Sequence, residues 1–419
     1  MSEFTIHRRR FLTTGAITLT GLALGLPSAS KASFRSAAIR VGVIGTGSRG
    51  TGLISLLQKI PGFVVTACCD IIPENLDKAI QTAGNNPRAY KDYRALLSDK
   101  QVEAVIIATP LFLHFPMATA ALDAGKHVYL EKSLSYNIQE ALTLADTVSK
   151  SRLVFQVGYQ YRYYGLYKKV KEIIEQNWLG RITHLESQYN RNSDWRNLVK
   201  DPAQERIINW RMYKEYCGGP LSELCAHQID MIRYLLDSNP TKAVAMGGIN
   251  YWNDGRDTYD HIRAVYEYPG GIQSSVSSVL SNAYNGYNIK IFGDKATVEI
   301  QREKAFIYAE NTVNRRGMVD GVTGATISTR THGEAEEIRW MEKALPCWNL
   351  PGMRWKTFSG ASGKAPSPCP MRKQPKTALS PFIWAISRRN KAIRNTGFLN
   401  THPEFRIKYA FQRANLFHQ

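Results

Sequence analysis

A glycine-rich turn near the start of the chain constrains its fold more than any other feature. Residues 40–44 form an apolar run, the turn Gly45-Thr46-Gly47-Ser48-Arg49-Gly50 follows at once, and residues 51–59 are patterned as a helix. In such a turn the first glycine permits the bend, the second lets the backbone approach a pyrophosphate, and the third lets helix and strand pack closely. The turn predicts an α/β fold with a dinucleotide bound at the start of the helix.

An acidic residue follows the next apolar run. Asp70 ends the predicted strand 63–69 and lies about 20 residues beyond Gly50, the spacing at which a carboxylate accepts hydrogen bonds from the adenosine ribose. Ile71 and Ile72 come next, and neither offers a positive charge to a 2′-phosphate. The sequence therefore predicts NAD rather than NADP as the cofactor.

The positive charge of the chain is confined to its two ends. The 419 residues carry a formal net charge of +19, and all but two of these charges belong to residues 1–40 and 340–419. A nucleic-acid-binding domain needs a basic face on its folded body, so we exclude nucleic acid as a partner. No cysteine spacing resembles a zinc site or a disulfide framework, so no metal is expected. The six cysteines are Cys68, Cys69, Cys217, Cys225, Cys347 and Cys369.

The N-terminus has the organisation of a signal peptide. Arg8-Arg9-Arg10 precedes an apolar stretch at 15–26, and small residues follow at 28–32. The paired arginines before Phe11-Leu12 resemble a twin-arginine signal, with a general secretory signal or a basic tail as the alternative. The apolar stretch is too short for a comfortable membrane span, so no stable membrane insertion is expected after export. We predict a signal peptide over 1–32 and a periplasmic protein.

Strands and helices continue to alternate, which predicts a parallel, doubly wound sheet. In such a sheet, ligand-facing groups collect at the carboxyl ends of the strands, and Thr109, Lys132 and Gln160 all fall there. The predicted strands are 102–108, 127–130 and 154–158, and the predicted helices between them are 117–124 and 137–149.

Four motifs occur in an order that resembles the Gfo/Idh/MocA oxidoreductases. They are the glycine-rich turn, Thr109-Pro110-x-x-x-His114, Glu131-Lys132 and Gly158-x-Gln160-x-Arg162, and the resemblance covers roughly residues 39–340. It implies an N-terminal Rossmann domain, a C-terminal α/β domain with an open, mostly antiparallel sheet, and hydride transfer between NAD(P) and a sugar or cyclitol. By this resemblance the cofactor-binding residues are Gly45, Gly47, Ser48, Arg49, Gly50, Asp70, Thr109, Pro110, His114, Glu131, Lys132 and Gln160.

The chain departs from the family pattern after Lys132, where Ser133 replaces a proline. Proline restricts the residue before it to extended geometry and makes a cis bond far less costly than serine does. The replacement puts the direction of the Lys132 side chain in question.

A glycine-rich segment at 218–219 leads into a predicted helix that carries the catalytic candidates. Glu223 and His227 are four residues apart and would share one face; they match the family's Asp-x-x-x-His with glutamate in place of aspartate. Oxidation of an alcohol needs a base within hydrogen-bond reach, and histidine or a lysine of lowered pKa can serve. We predict that Lys132 and His227 bracket one hydroxyl, while Glu223 orients His227 or holds a second hydroxyl. The predicted substrate-binding residues are Arg162, Trp210 and Asp230.

The later part of the chain changes character twice. After residue 240 the predicted strands indicate a mostly antiparallel sheet, through which we expect the protein to form a homo-oligomer. From about residue 341 the chain becomes a basic tail; residues 344–376 read as loop or disorder, and helical pattern resumes at 381–393 and 404–416. A solvated linker and an altered reading frame both account for this change. We predict domains at 33–155 for NAD and 156–340 for substrate.

These features predict an exported NAD-dependent oxidoreductase that acts on a sugar, an amino sugar or a glycoside. Since the periplasm offers no free NAD that such an enzyme could rely on, we expect the cofactor to be held tightly and recycled. One alternative is a glycosidase that oxidises its substrate transiently, eliminates the aglycone and reduces the sugar again. The other is a non-catalytic sugar-binding protein that retains the fold.

Overall fold

The structure is a computed structural model that describes residues 38–310 and 334–340. The predicted signal peptide at 1–32, the predicted tail at 341–419 with its helices, Cys347 and Cys369 lie outside the described residues. Across the described ranges, every helix is too short or too polar to cross a membrane.

The first part of the described chain forms a parallel sheet of six strands in the order β3-β2-β1-β4-β5-β6. The strands are β1 (Ile39–Ile44), β2 (Phe63–Cys69), β3 (Arg88–Tyr90), β4 (Ala104–Ile107), β5 (His127–Leu130) and β6 (Phe155–Val157). The helices are α1 (Ser48–Leu57), α2 (Pro73–Ala83), α3 (Tyr93–Ser98), α4 (His114–Asp123) and α5 (Ile138–Lys150). The sequence analysis did not identify β3, α2 or α3.

This sheet is buried on both faces. Val43 and Ile106 point into the core formed with α1 and α2, whereas Ile44 and Ile107 point into the core formed with α3, α4 and α5. Apolar residues on both sides of β1, β2, β4 and β5 explain why the sequence shows continuous apolar runs there instead of alternation. The strand order reverses between β1 and β4, and ligands bind at the carboxyl ends of strands at such a switch point.

The second sheet has eight strands in the order β14-β13-β12-β11-β7-β10-β9-β8. Its neighbouring strands are antiparallel except for β10 and β7, which are parallel. The strands are β7 (Ile182–Tyr189), β8 (Lys242–Gly248), β9 (His261–Glu267), β10 (Gln273–Val279), β11 (Tyr287–Gly293), β12 (Ala296–Gln301), β13 (Ala305–Ala309) and β14 (Glu336–Glu337). The helices are α6 (Gly165–Glu175), α7 (Glu205–Ile208) and α8 (Ala226–Leu236).

Helices α6 and α8 cover one face of the second sheet. Leu166, Val170 and Ile232 pack there against inward-facing sheet residues such as Val276 and Ile289. The predicted fold class is therefore confirmed: a doubly wound parallel sheet is followed by a mostly antiparallel one. The predicted domain boundary between residues 155 and 156 falls within β6.

The four described cysteines are free and buried. Burial raises the pKa of each thiol to about 12. Cys68 and Cys69 lie in β2, as core residues of a buried strand. Cys217 and Cys225 belong to the second part of the fold, before and within the turn that leads into α8.

Candidate active site

The glycine-rich turn after β1 contains two kinds of glycine. A Cβ on Gly50 would lie 2.0 Å from the Gly45 carbonyl oxygen, and Gly45 itself has a φ of +81°, so the fold requires both glycines. A Cβ on Gly47 would meet nothing nearer than the Asn75 side chain at 3.9 Å. The open space at Gly47 therefore fits a ligand that approaches the backbone there.

Helix α1 starts beside this space. Its first backbone hydrogen bond runs from the Thr51 N–H to the Gly47 carbonyl (3.0 Å), which leaves the N–H groups of residues 48–50 for a phosphate. The first turn of the helix contains no acidic residue that would repel an anion. The turn and the helix start thus fit the pyrophosphate of a dinucleotide.

Asp70 lies at the end of β2, next to the turn. One carboxylate oxygen accepts a hydrogen bond from the Thr46 N–H (2.7 Å), and the other accepts one from the Ile72 N–H (2.9 Å). These bonds hold the carboxylate at the carboxyl edge of the sheet. The side chain is only partly buried, so it is open to the ribose contact that the sequence predicts. Ile71, with 65% of its surface exposed, follows it.

Arg49 connects the turn to the Glu-Lys segment after β5. Its Nε and Nη2 both lie 2.7 Å from one carboxylate oxygen of Glu131. The other oxygen of Glu131 accepts a hydrogen bond from the Lys132 N–H (3.1 Å). The predicted cofactor residues Arg49 and Glu131 are thus bound to each other, a contact across 82 residues that the sequence analysis missed.

His114 joins two of the loops at this edge. Its Nε2 lies 3.0 Å from the Thr109 carbonyl oxygen and its Nδ1 lies 2.6 Å from the Ser133 carbonyl oxygen. Only 1% of the residue is exposed, and burial lowers the pKa of the imidazole. Because both nitrogens face protein carbonyls, any role of His114 at the cofactor runs through the loops that it joins.

Two other predicted cofactor residues bury oxygen atoms for which the described chain provides no hydrogen-bond partner. These atoms are Thr109 Oγ1, beyond the end of β4, and Gln160 Oε1, beyond the end of β6. Pro110 follows Thr109 and opens a short helical turn over Leu111–Leu113. An unsatisfied buried polar atom costs about 1–3 kcal/mol, so a bound group with hydrogen-bond donors would stabilise this edge.

Lys132 points from the first part of the fold to the second. Its Nζ donates a hydrogen bond to the Glu223 carbonyl (2.9 Å) and lies 3.8 Å from a Glu223 carboxylate oxygen. The Lys132–Ser133 peptide bond is cis, and the Ser133 hydroxyl donates to the Ser222 carbonyl (3.2 Å). The serine in place of proline therefore does not turn Lys132 away from the predicted site.

Glu223 holds Lys132 and Arg211 rather than His227. It lies in a five-residue π-helical turn, Leu221–Cys225, which precedes α8, so the predicted regular helix spacing does not apply. Its carboxylate accepts a hydrogen bond from Arg211 Nε (3.1 Å), and it makes none with His227 in the described chain. Burial raises the pKa of Glu223, but Lys132 and Arg211 lower it more, so the carboxyl group stays ionised. The prediction that Glu223 orients His227 is thus corrected, whereas its alternative, that Glu223 holds a second hydroxyl, stays a prediction.

His227 lies in the first turn of α8 with 8% of its surface exposed. Its ring packs against Tyr161, with 4.9 Å between the ring centroids, and its Nδ1 is buried without a partner in the described chain. Burial and then the positive charge of Lys132 hold the pKa of His227 well below its usual 6.5. The imidazole is therefore neutral at neutral pH and able to accept a proton.

Two of the predicted substrate-binding residues bind each other. Arg162 Nε donates to the Asp230 carboxylate (2.8 Å), and a second guanidinium nitrogen contacts the other oxygen. A cavity of about 420 Å³ runs along α8 beside Asp230, but neither Lys132 nor His227 lines it. The ion pair therefore joins α8 to the turn Gln160–Tyr163 that follows β6.

The third predicted substrate-binding residue, Trp210, stacks with a residue that the sequence analysis did not select. The Arg211 guanidinium lies 4.0 Å from the Trp210 ring centroid and also pairs with Glu223. Arg211 therefore belongs to the candidate site. Its place in the sequence directly after Trp210 was the one signal that could have identified it.

Comparison with known proteins agrees with this fold. The model of the oxidoreductase family with an NAD-binding Rossmann fold, GFO_IDH_MocA, matches residues 39–159, and the GFO/IDH/MocA C-terminal domain matches residues 167–299. Levoglucosan dehydrogenase of Pseudarthrobacter phenanthrenivorans is 26% identical over 68% of this chain and 80% of its own length. Glycosyl hydrolase family 109 protein 2 of Shewanella sp. strain ANA-3 is 27% identical over 87% of this chain and 85% of its own length.

A solved structure supports the same fold. Levoglucosan dehydrogenase in complex with NADH and levoglucosan superimposes with a TM-score of 0.57 and 24% identity, over 67% of this chain and 79% of that chain. The two family models together span most of the described residues, and the candidate cofactor turn lies within the first of them. The chain therefore belongs to the Gfo/Idh/MocA family of NAD-dependent oxidoreductases.

Proposed function

We propose that the protein transfers a hydride between NAD and a hydroxyl-bearing carbon of a sugar, an amino sugar or a glycoside. One observation carries this proposal: the Lys132 ammonium group lies within hydrogen-bond distance of the turn that leads directly to the buried, neutral His227. Alcohol oxidation requires a base that takes the hydroxyl proton and a cation that stabilises the charge developing on the oxygen, and both lie here.

When bound, NAD supplies the hydride acceptor, and the turn at Gly47 and the carboxylate of Asp70 would hold it. His227 takes the hydroxyl proton, because its imidazole is neutral and its Nδ1 has no partner within the described chain. Lys132 stabilises the negative charge that develops on the oxygen. Glu223, ionised and close to Lys132, fixes the position of that ammonium group.

A sugar substrate is supported by the relatives. The name of levoglucosan dehydrogenase gives a sugar as its substrate. The name of the myo-inositol 2-dehydrogenase of Thermotoga maritima gives a cyclitol. The Shewanella relative favours the second candidate function, a glycosidase that acts by transient oxidation and elimination. The non-catalytic sugar-binding protein is the third.

We further propose that the protein is exported through the twin-arginine route with NAD already bound. The support is the Arg8-Arg9 pair and the small residues at 28–32. An exported enzyme with a tightly bound cofactor turns over substrate without added NAD.

The test is turnover by the purified protein without added NAD, on a panel of sugars and glycosides in deuterated water. A keto product or a reduced second substrate supports simple oxidoreduction. Released sugar with deuterium next to the transiently oxidised carbon supports elimination. Binding without any turnover, in protein that contains NAD by mass spectrometry, supports the binding protein and contradicts both enzyme proposals.

The proposed residues are tested by substitution. Lys132→Met and His227→Ala should each lower kcat by about 10²–10⁴-fold while bound NAD and the thermal melt are retained. Lys150→Met is the matched control, because this lysine is exposed on α5 and pairs with the exposed Asp146. Full activity in the Lys132 variant would contradict its assignment.

A further inference from the structure

Two arginines lie beyond the ends of inner strands of the second sheet, on the side of the sheet that faces His227. Arg191 comes two residues after the end of β7, and Arg302 directly follows β12. Both strands are antiparallel to β11, which lies between them, so β7 and β12 run in the same direction. The register pairs Tyr189 with Tyr287 and Gln301 with the adjacent Asn288, which places both strand ends at one edge.

Tyrosine side chains connect these arginines to the candidate base. Arg191 Nη2 donates a hydrogen bond to the Tyr189 hydroxyl (2.9 Å), and Arg302 interacts with the hydroxyl of Tyr161. The Tyr161 ring contacts His227 (centroids 4.9 Å apart) and also Tyr287 (5.2 Å), which contacts Tyr189 (5.5 Å). Each arginine is therefore linked to His227 through one to three aromatic rings.

The described residues around His227 carry more positive than negative charge. Glu131 pairs with Arg49, and Glu223 pairs with Lys132 and Arg211. Within residues 38–310 and 334–340, neither Arg191 nor Arg302 forms an ion pair with a carboxylate. Both nevertheless lie close enough to His227 for their charges to lower its pKa, after burial and the charges of Lys132 and Arg49. The charges of Arg191 and Arg302 therefore act near His227 without an ion-paired carboxylate among the described residues.

We propose that the substrate carries an anionic group, a carboxylate or a phosphate, which Arg191 and Arg302 bind while its reacting hydroxyl lies at Lys132 and His227. Guanidinium groups suit this role because their planar donor fork matches both anions. Each arginine uses one contact to a tyrosine hydroxyl and keeps further N–H donors for a ligand. The proposal rests on the proposed sugar oxidoreductase function and names its substrate class.

The test compares three sugars that differ in charge: glucose, glucuronate and glucose 6-phosphate. Binding to the NAD-loaded full-length protein is measured by calorimetry, and turnover is measured separately. We expect one of the acidic sugars to bind better than glucose, and the better one identifies carboxylate or phosphate as the preferred group. Arg191→Gln and Arg302→Gln should each weaken acidic-sugar binding about 10- to 100-fold and leave glucose binding unchanged.

Arg181→Gln is the matched control, since Arg181 is an exposed arginine that directly precedes β7, at the opposite edge of the same sheet. It should leave the affinity for all three sugars unchanged. Equal binding of the three sugars, or absence of acidic-sugar binding, would overturn the proposal. NAD affinity is also measured without sugar. If Arg191→Gln and Arg302→Gln weaken NAD binding as much as they weaken acidic-sugar binding, the proposal is overturned and the two arginines are assigned to the cofactor pyrophosphate. An acidic sugar that binds at the arginines but is never oxidised or reduced would instead contradict the proposed function.

Discussion

Two substitutions in the glycine-rich turn, Gly47→Ala and Gly50→Ala, separate its role in cofactor binding from its role in folding. A Cβ at position 47 has 3.9 Å to its nearest neighbour, and Gly47 has an ordinary φ of −60°. Gly47→Ala should therefore cost the NAD-free protein no more than about 1 kcal/mol, the usual penalty for alanine as an N-cap. Gly50→Ala places a Cβ 2.0 Å from a carbonyl oxygen and should cost about 1–3 kcal/mol or more.

In cofactor binding the order of the two variants should reverse. For each kcal/mol of lost stability, Gly47→Ala should lose more NAD affinity than Gly50→Ala. The methyl group of Gly47→Ala occupies the space where the pyrophosphate approaches the backbone, so at least two N–H bonds to phosphate are lost. At about 1.5–3 kcal/mol each, these bonds amount to about 3–6 kcal/mol, or roughly 10²- to 10⁴-fold in Kd.

Urea unfolding of the NAD-free proteins measures the first quantity, and calorimetric titration with NAD measures the second. Gly52→Ala serves as a control, because a Cβ there meets no atom within 4 Å and the residue lies inside α1. Unchanged NAD affinity in Gly47→Ala would refute the assignment of the turn. A loss of stability as large as that of Gly50→Ala would refute the structural argument.

Four further outcomes are expected. Asp70→Ala should weaken NAD more than NADP, because the carboxylate that meets the ribose hydroxyls also repels a 2′-phosphate; equal weakening in titrations would contradict this. Since the pKa of His227 lies well below 6.5, kcat/KM should fall only at pH values well below 6.5, as the imidazole gains a proton, and a fall centred at 6.5 would show that His227 is not the base. Replacement of both Arg8 and Arg9 by lysine should leave the precursor in the cytoplasm, which cell fractionation checks, whereas normal delivery would indicate the general secretory route. Ser277→Arg, on the outer face of the interior strand β10, should dissociate a homo-oligomer formed through the second sheet, as light scattering would measure; an unchanged mass would locate the interface elsewhere.

The sequence predicted those parts of the site that depend on local order along the chain. Strand β1, the glycine-rich turn and Asp70 follow one another within one βαβ unit, and each has a distinct residue type that the geometry requires. The positions of Thr109, Lys132 and Gln160 followed in the same way, since parallel strands bring their carboxyl ends to one edge. Periodicity and turn residues were sufficient for the inner strands of this half of the fold, but not for β3, α2 and α3.

The contacts between distant segments could not be predicted in that way. Arg49 meets Glu131 across 82 residues, and Ser133 meets Ser222 across 89 residues, through contacts that no local pattern encodes. The position of Glu223 was misjudged because a π-helical turn has a different periodicity from the regular helix that the spacing suggested. Strand β7 was missed although its buried residues alternate with polar ones.

The buried thiols have a consequence for the chemical durability of the protein. Oxidation and disulfide exchange require the thiolate, and a thiol whose pKa is about 12 is almost entirely protonated at neutral pH. Cys68, Cys69, Cys217 and Cys225 are also shielded from solvent-borne oxidants by burial. These four thiols are therefore expected to stay reduced when the folded protein meets an oxidising environment.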